Sequence, residues 1–223
     1  MDTRHFCLPL IAMLLLHVSA LAQERDDFGS WTDIQFNKSW TDASGAGGPY
    51  VGLRGEFRSK ESFSATDIWF VRPKVGYRFN NWLKGDISYD WCRSASKRQH
   101  KFLISVTGTL KSGGISVSVR EMFVRVLSVE FGTSEGAGTG TGVWSNLLRS
   151  RLNAQYTIPE CGIKPYLAIE LFTWTRWINT RHYVGAVVPL GRHCSADLFY
   201  LYLTTAGSAS ARHIAGLGIN IDL

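Results

Sequence analysis

The residues of this chain alternate between apolar and polar along most of its length, and this pattern constrains the fold more than any other feature. In residues 50–58, Val51, Leu53 and Phe57 share one face, and the opposite face is mostly charged. Neighbouring side chains of a β-strand point to opposite faces, whereas a helical face repeats every 3.6 residues. Clear alternation covers residues 50–58, 67–79, 82–92, 101–110, 115–123 and 148–158, and it has less contrast in 28–37, 163–174 and 181–190. Residues 196–204 are apolar on both faces, which leaves their phase open, and 212–223 form the final segment. The pattern predicts an all-β fold.

The segments have the length of membrane-crossing strands and predict a single antiparallel up-and-down transmembrane barrel of about 10–12 strands. Their connections alternate between short ones, at residues 80–81, 111–114, 159–162 and 191–192, and longer ones, at 59–66, 93–100, 127–145, 175–180 and 205–211. Short turns at one rim and long loops at the other are typical of outer-membrane barrels. Such barrels normally have an even number of strands. About eleven segments therefore imply that one strand is missed or split, or that residues 28–37 lie outside the wall.

Residues 1–22 have the organisation of a secretory signal peptide. A weakly basic start precedes an apolar run from Phe6 to Leu16, and Ala20-Leu21-Ala22 has the small-x-small pattern that signal peptidase accepts. We expect cleavage after Ala22, which leaves residues 23–223 as one barrel domain. The alternative is a membrane anchor, but the apolar run is shorter than the roughly 20 residues of a spanning helix.

Alternation alone does not decide between a membrane barrel, with its apolar face in lipid, and a soluble barrel, with that face inside. Three features favour the membrane barrel. The final segment is apolar at every second position up to Leu223 and resembles the terminal strand read by the barrel-assembly machinery, although such strands usually end in Phe or Trp. Most of the eight Trp lie near predicted strand ends, where lipid meets water. The apolar face carries only two clear charges, Glu121 and Arg125, near one strand end.

The polar face carries many charges, which would point into the lumen of a membrane barrel. The candidates are Arg54, Glu56, Arg58, Arg72, Lys74, Arg78, Lys84, Asp86, Asp90, Lys101, Arg120, Arg149, Arg151 and Glu170. They could form an ion-pair network that fills the lumen, or line a pore that favours anions. The net charge of +6 is too small and too scattered to indicate binding of nucleic acid.

Motifs for chemistry are weak, and we predict no catalytic, metal or cofactor-binding residue. Cys161 and Cys194 lie at turns of the same rim and could form a disulfide with Cys92 left free, or all three thiols could be unpaired. No spacing of cysteine or histidine indicates a metal site. His100 and Ser105 are the one candidate pair for a serine hydrolase site, and Ser105 is not part of the usual Gly-x-Ser-x-Gly motif.

Several short motifs together resemble one family of exported bacterial proteins. They are Trp69-Phe70-Val71-Arg72-Pro73, Tyr77, Arg120-Glu121, Leu148-Arg149-Ser150-Arg151-Leu152 and Pro165-Tyr166 with Glu170. As a set they resemble domain-of-unknown-function family 2490, and the likeness extends over nearly all of residues 23–223. The resemblance implies an outer-membrane-type barrel and brings no activity, ligand or catalytic residue. The glycine-rich stretch 136–142 looks like a local departure.

We therefore expect a protein of the outer membrane of a Gram-negative bacterium, with a structural role or a role as a small-solute, porin-like pore with a basic lumen. Its expected partners are outer-membrane lipid and, during biogenesis, the barrel-assembly machinery, with no cofactor and no nucleic acid. One alternative is a membrane-embedded enzyme that modifies lipid. Another is a soluble periplasmic barrel that binds an apolar ligand.

Overall fold

The protein folds into a closed barrel of eleven strands. The computed structural model describes residues 27–41, 47–130 and 142–223, so the predicted signal peptide lies outside the described residues. The strands are β1 (Asp27–Ser39), β2 (Gly48–Lys60), β3 (Ala65–Arg78), β4 (Leu83–Arg93), β5 (Lys97–Ser112), β6 (Ile115–Glu130), β7 (Val143–Tyr156), β8 (Lys164–Thr173), β9 (Trp177–Pro189), β10 (Cys194–Thr205) and β11 (Arg212–Asp222). The predicted all-β barrel of about 10–12 strands is confirmed. Among the described residues, no helix is long and apolar enough to cross a membrane.

The barrel closes through a parallel pair. Consecutive strands pair antiparallel, and β1 pairs with β11 in parallel, from Asp27 opposite Arg212 to Asn37 opposite Asp222. With an odd number of antiparallel strands, the first and last strands run in the same direction, so only a parallel ladder can join them. The expectation of an even strand number, with residues 28–37 outside the wall or a strand missed, is wrong: these residues are part of the closing strand.

Polar contacts hold this parallel seam at both ends. At its start, the Arg212 guanidinium lies 3.0 Å from the Asp27 carboxylate and 3.2 Å from that of Asp67. At its end, the backbone N–H of Leu223 donates to the carbonyl of Asn37 at 2.8 Å. The seam is therefore secured by side chains at one rim and by a backbone hydrogen bond at the other.

The connections differ less in length than the sequence indicates. The N-terminal rim, where β1 begins, carries the connections 61–64, 94–96, 131–142, 174–176 and 206–211; the C-terminal rim, where β11 ends, carries 40–47, 79–82, 113–114, 157–163 and 190–193. The expected long loops at the N-terminal rim are wrong for 59–66 and 93–100, because ladder pairing continues to Lys60 opposite Ala65 and to Arg93 opposite Arg98. The connection after β6 shortens from the expected 127–145 to 131–142, most of which lies outside the described residues, and 206–211 is nearly as long as expected.

The outer wall is apolar, and the inner face carries the charges together with two buried apolar clusters. One cluster is Trp31, Tyr166, Ala168, Tyr183, Leu201 and Ile214, and the other is Leu103, Met122, Val124 and Val126. On the outer wall, Ile104 is 56% exposed and Leu167 is 64% exposed. On the inner face, Asp90 and Glu170 are buried. The strand β10, whose phase the sequence leaves open, turns Leu198 outward and Leu201 inward. The wall is thus inverted relative to a soluble barrel, with its apolar side chains outside.

Aromatic rings on the inner face cover glycines on the next strand. The directly opposed pairs are Tyr50–Gly76, Tyr166–Gly185 and Phe199–Gly216. A ring can lie flat against the sheet there because glycine has no side chain, and such pairs fix the register of neighbouring strands. The Tyr166 hydroxyl then reaches one strand further and donates to Asp197 at 3.0 Å.

We expect Gly185→Ala to destabilise the barrel by about 1–3 kcal/mol, the usual cost of overpacking. A Cβ at this position would lie 2.7 Å from the carbonyl oxygen of Leu198 and 2.8 Å from the ring of Tyr166. Gly55→Ala is the control, because its Cβ would meet nothing closer than Ile34 at 4.0 Å. Urea unfolding followed by tryptophan fluorescence measures both, and equal losses of stability would contradict the packing argument.

Candidate functional site

Half of the predicted lumen charges line one cavity in the middle of the barrel, the central chamber. Its volume is about 120 Å³, and its lining comes from nine of the eleven strands. The predicted residues that line it are Arg54, Glu56, Arg58, Arg72, Arg120, Arg149 and Arg151. The structure therefore brings together charges that lie far apart in the sequence.

A buried carboxylate, Glu170 on β8, organises one side of this chamber. Its Oε1 lies 2.9 Å from Arg120 Nη2 on β6 and 2.9 Å from Arg149 Nη2 on β7. Its Oε2 lies 3.7 Å from Arg181 Nη1 on β9 and accepts a hydrogen bond from the Tyr183 hydroxyl at 3.3 Å. The carboxylate of Glu170 thus forms ion pairs with three arginines. We call these four residues the Glu170 cluster.

A second group of ion pairs occupies the opposite side of the lumen. Glu56 on β2 is buried and pairs with Arg58 and, at 2.6 Å, with Arg54. Arg72 on β3 binds Asp90 on β4 through two nitrogens, with Nη2 donating to Oδ2 at 2.7 Å. Two-pronged contacts of this kind hold a guanidinium in one orientation. These five residues are the Glu56 group.

The ring of Trp31 on β1 joins the two sides. Arg58 of the Glu56 group lies 3.9 Å from its centroid, and Arg181 of the Glu170 cluster lies 4.9 Å from it. Both contacts are cation–π interactions, which gain strength where water is excluded. A continuous set of contacts therefore runs across the lumen through one indole ring.

Arg58 also borders a second cavity, the rim cavity, at the N-terminal rim. This cavity has a volume of about 580 Å³ and lies between the connections 61–64 and 94–96. Lys60 and Lys97 line it together with Asp67. Because Arg58 lines both cavities, its side chain stands between the rim and the central chamber.

Comparison with known proteins gives a family and no activity. The family model described as "Protein of unknown function (DUF2490)" matches residues 28–213. The chain belongs to DUF2490. The match begins in β1 and ends in β11, and the resemblance stated from the sequence motifs is confirmed. No curated protein and no solved structure matches the chain.

The remaining predicted charges of this DUF2490 barrel lie outside the chamber. Asp90 and Glu170 stand behind it, bonded to its arginines. Asp86 accepts hydrogen bonds from the hydroxyls of Tyr50, at 3.0 Å, and Ser105, at 2.8 Å. The others are half-buried on the inner face, Lys74 and Lys101, or exposed toward the C-terminal rim, Arg78 and Lys84.

Sequence reasoning missed several residues that line the chamber of this DUF2490 chain. They are Trp31, Asp33, Tyr166, Arg181, Tyr183 and Asp197, among others. Asp33 and Arg181 follow the period-two rule within their strands and could have been found from it. Asp197 could not, because β10 is apolar on both faces.

The weaker chemical candidates do not come together. His100 lies on the outer wall, bonded to the Tyr89 hydroxyl, whereas Ser105 is buried on the inner face. An odd spacing along a strand places two residues on opposite faces. Cys161 and Cys194 are both free thiols, as is Cys92. Among the described residues, no three His, Cys, Asp or Glu side chains are grouped to hold a metal ion.

Glu121 and Arg125, the two charges expected on the apolar face, each contact a neighbouring side chain. Glu121 accepts a hydrogen bond from the Ser150 hydroxyl at 2.7 Å. Arg125 lies 4.9 Å from the centroid of Trp144. Both residues belong to β6. The sequence predicted that they lie near one strand end, but Glu121 lies well inside this strand.

Proposed function

We propose that this protein is an outer-membrane barrel with its apolar wall in lipid and its lumen closed to general diffusion by ion pairs. The observation that carries the proposal is the inversion of the two faces. Exposed aliphatic side chains cover the outside, and ten ion pairs, most of them on the inner face, join the described residues. Soluble monomeric proteins rarely expose an apolar surface of this extent to water.

The positions of the tryptophans support the location in a membrane. Those near the N-terminal rim are Trp69, Trp91, Trp144, Trp174 and Trp177, and those near the C-terminal rim are Trp40 and Trp82. Two such belts are typical of barrels whose rims lie at the two lipid–water boundaries. Trp31 is the exception, since it points into the lumen.

The lumen favours a structural or small-solute role over a general porin. The Glu170 cluster and the Glu56 group meet through Trp31, and the chamber of about 120 Å³ lies between them. Side chains fill the lumens of barrels of about eight strands, and barrels of about 16–18 strands leave an aqueous channel, so eleven strands lie nearer the filled class. A soluble barrel for an apolar ligand would need an apolar cavity, whereas charged and polar side chains dominate the lining of the central chamber. The separated His100 and Ser105 give no support to a lipid-modifying enzyme.

Fractionation of the native host tests the location. We expect the protein in the outer-membrane fraction, with a gel mobility that shifts on boiling, because a closed barrel resists detergent until it is heated. In planar bilayers, the purified protein should show no large steady conductance steps. A band in the soluble periplasm without a mobility shift would contradict the location, and porin-sized steps would contradict the closed lumen.

A further inference from the structure

We propose that the central chamber is a binding site for a small oxyanion of the size of phosphate or sulfate. The inference goes beyond the proposed function, because it concerns the interior of the barrel and holds whether or not the barrel conducts. It is based on three observations: the charge of the chamber, its unpaired donors and its size.

The charge of the chamber is positive. Seven arginines line it, and the carboxylates around it among the described residues are Asp33, Glu56 and Asp197 in the lining with Asp90 and Glu170 behind. Seven positive charges against five negative ones leave an excess of two. An anion with one or two negative charges would balance this excess.

Among the arginines of the chamber, Arg151 has the fewest polar contacts with described residues. It lies on the inner face of β7, with its guanidinium 4.4 Å from the centroid of the Tyr183 ring. It makes no ion pair with any described residue, whereas Arg54, Arg120 and Arg149 each do. Its guanidinium therefore keeps donors for a ligand in the chamber.

Buried donors of the surrounding arginines point to the same ligand chemistry. The Nε–H groups of Arg54, Arg120, Arg149 and Arg181 are buried and have no hydrogen-bond partner among the described residues. All four arginines line the chamber. Leaving a buried donor unpaired is costly, so groups of them in one cavity need an acceptor. Guanidinium groups match oxyanions in both charge and geometry.

The size of the chamber restricts the ligand. A water molecule takes up about 30 Å³ of the liquid, so a cavity of about 120 Å³ has room for about four waters or for one tetrahedral oxyanion with little else. This volume suits a small oxyanion better than a nucleotide or a sugar phosphate. The rim cavity is lined by Arg58, Lys60 and Lys97 against Glu61 and Asp67, and Arg58 stands between the two spaces.

Isothermal titration calorimetry of the purified, detergent-solubilised protein tests the site, with inorganic phosphate as the probe and sulfate as its competitor. We expect one saturable site per chain. Arg151→Gln should weaken phosphate binding at least ten-fold, because it removes the uncommitted charge. Asp197→Asn should tighten binding several-fold, because it removes a negative charge from the lining. Arg192→Gln, at an exposed turn, removes the same charge as Arg151→Gln and should change nothing.

The mobility shift on boiling shows whether each preparation is folded. The absence of saturable heat from folded wild-type protein would overturn the proposal, as would equal affinity in wild type and Arg151→Gln. If Arg151→Gln does not fold, Asp197→Asn decides in its place, and unchanged or weaker binding there overturns the site. A protein that fractionates with the outer membrane and binds no phosphate would contradict this inference alone, and one that binds phosphate but is soluble would contradict the location alone.

Discussion

Glu170→Gln is expected to destabilise the barrel by about 3–5 kcal/mol, the usual cost of removing one partner from a buried ion pair. Glutamine fills the same space but carries no charge. The guanidinium groups of Arg120, Arg149 and Arg181 would then repel one another around a side chain that is 0% exposed. Urea unfolding of the protein refolded in lipid vesicles, followed by tryptophan fluorescence, measures the loss.

A matched control and a compensating change make this test specific. Glu160→Gln removes the same charge from the exposed connection between β7 and β8, where surface substitutions change stability by about 0.5 kcal/mol or less. Adding Arg149→Met to Glu170→Gln should restore part of the lost stability, since it removes one of the unpaired charges. Wild-type stability of Glu170→Gln would show that the cluster does not hold the lumen together.

Ile104→Arg is expected to cost about 2–4 kcal/mol in lipid vesicles, the range for a basic residue at the bilayer midplane. Ile104 lies midway along β5 on the outer wall, directly between Ile87 and Phe123 on the adjacent strands. An arginine there would face hydrocarbon if the wall is in a membrane. If the wall were in water, the same change would cost about 0.5 kcal/mol or less.

Depth along the strand provides the control. Leu110→Arg places the same side chain on the same face of β5, two residues from its end, and Leu110 is 74% exposed. Near the interface the cost of arginine falls to about 0–1 kcal/mol. Unfolding in vesicles should therefore separate the two variants. Equal, small effects would argue that the outer wall does not lie in lipid.

The strands and most of their faces could be predicted from sequence because period-two alternation is a local property. Val51 and Leu53 against Arg54 and Glu56 specify both a strand and its orientation without any knowledge of neighbours. The closure could not be predicted in the same way. Pairing of β1 with β11 joins residues at the two ends of the wall, and nothing in either strand's own pattern specifies a parallel partner.

The sequence predicted many of the residues that face the lumen, but it did not predict which of them contact one another. Alternation placed Arg120, Arg149 and Glu170 on the inner face, but their meeting depends on the registers of three strands. Arg181 was missed because its segment shows weak contrast, although it completes the Glu170 cluster. The role of Trp31 could not be inferred, since a tryptophan near a strand end is more typical of the outer belt.

The parallel seam also decides where the two ends of the wall emerge. A barrel with an even number of strands returns its last residue to the side from which it started, whereas here Asp27 and Leu223 lie at opposite rims. In the proposed location, one end of the wall faces the periplasm and the other faces the surroundings of the cell. Any sequence joined ahead of Asp27 and any sequence joined after Leu223 would thus occupy different compartments, and a single polypeptide would connect them.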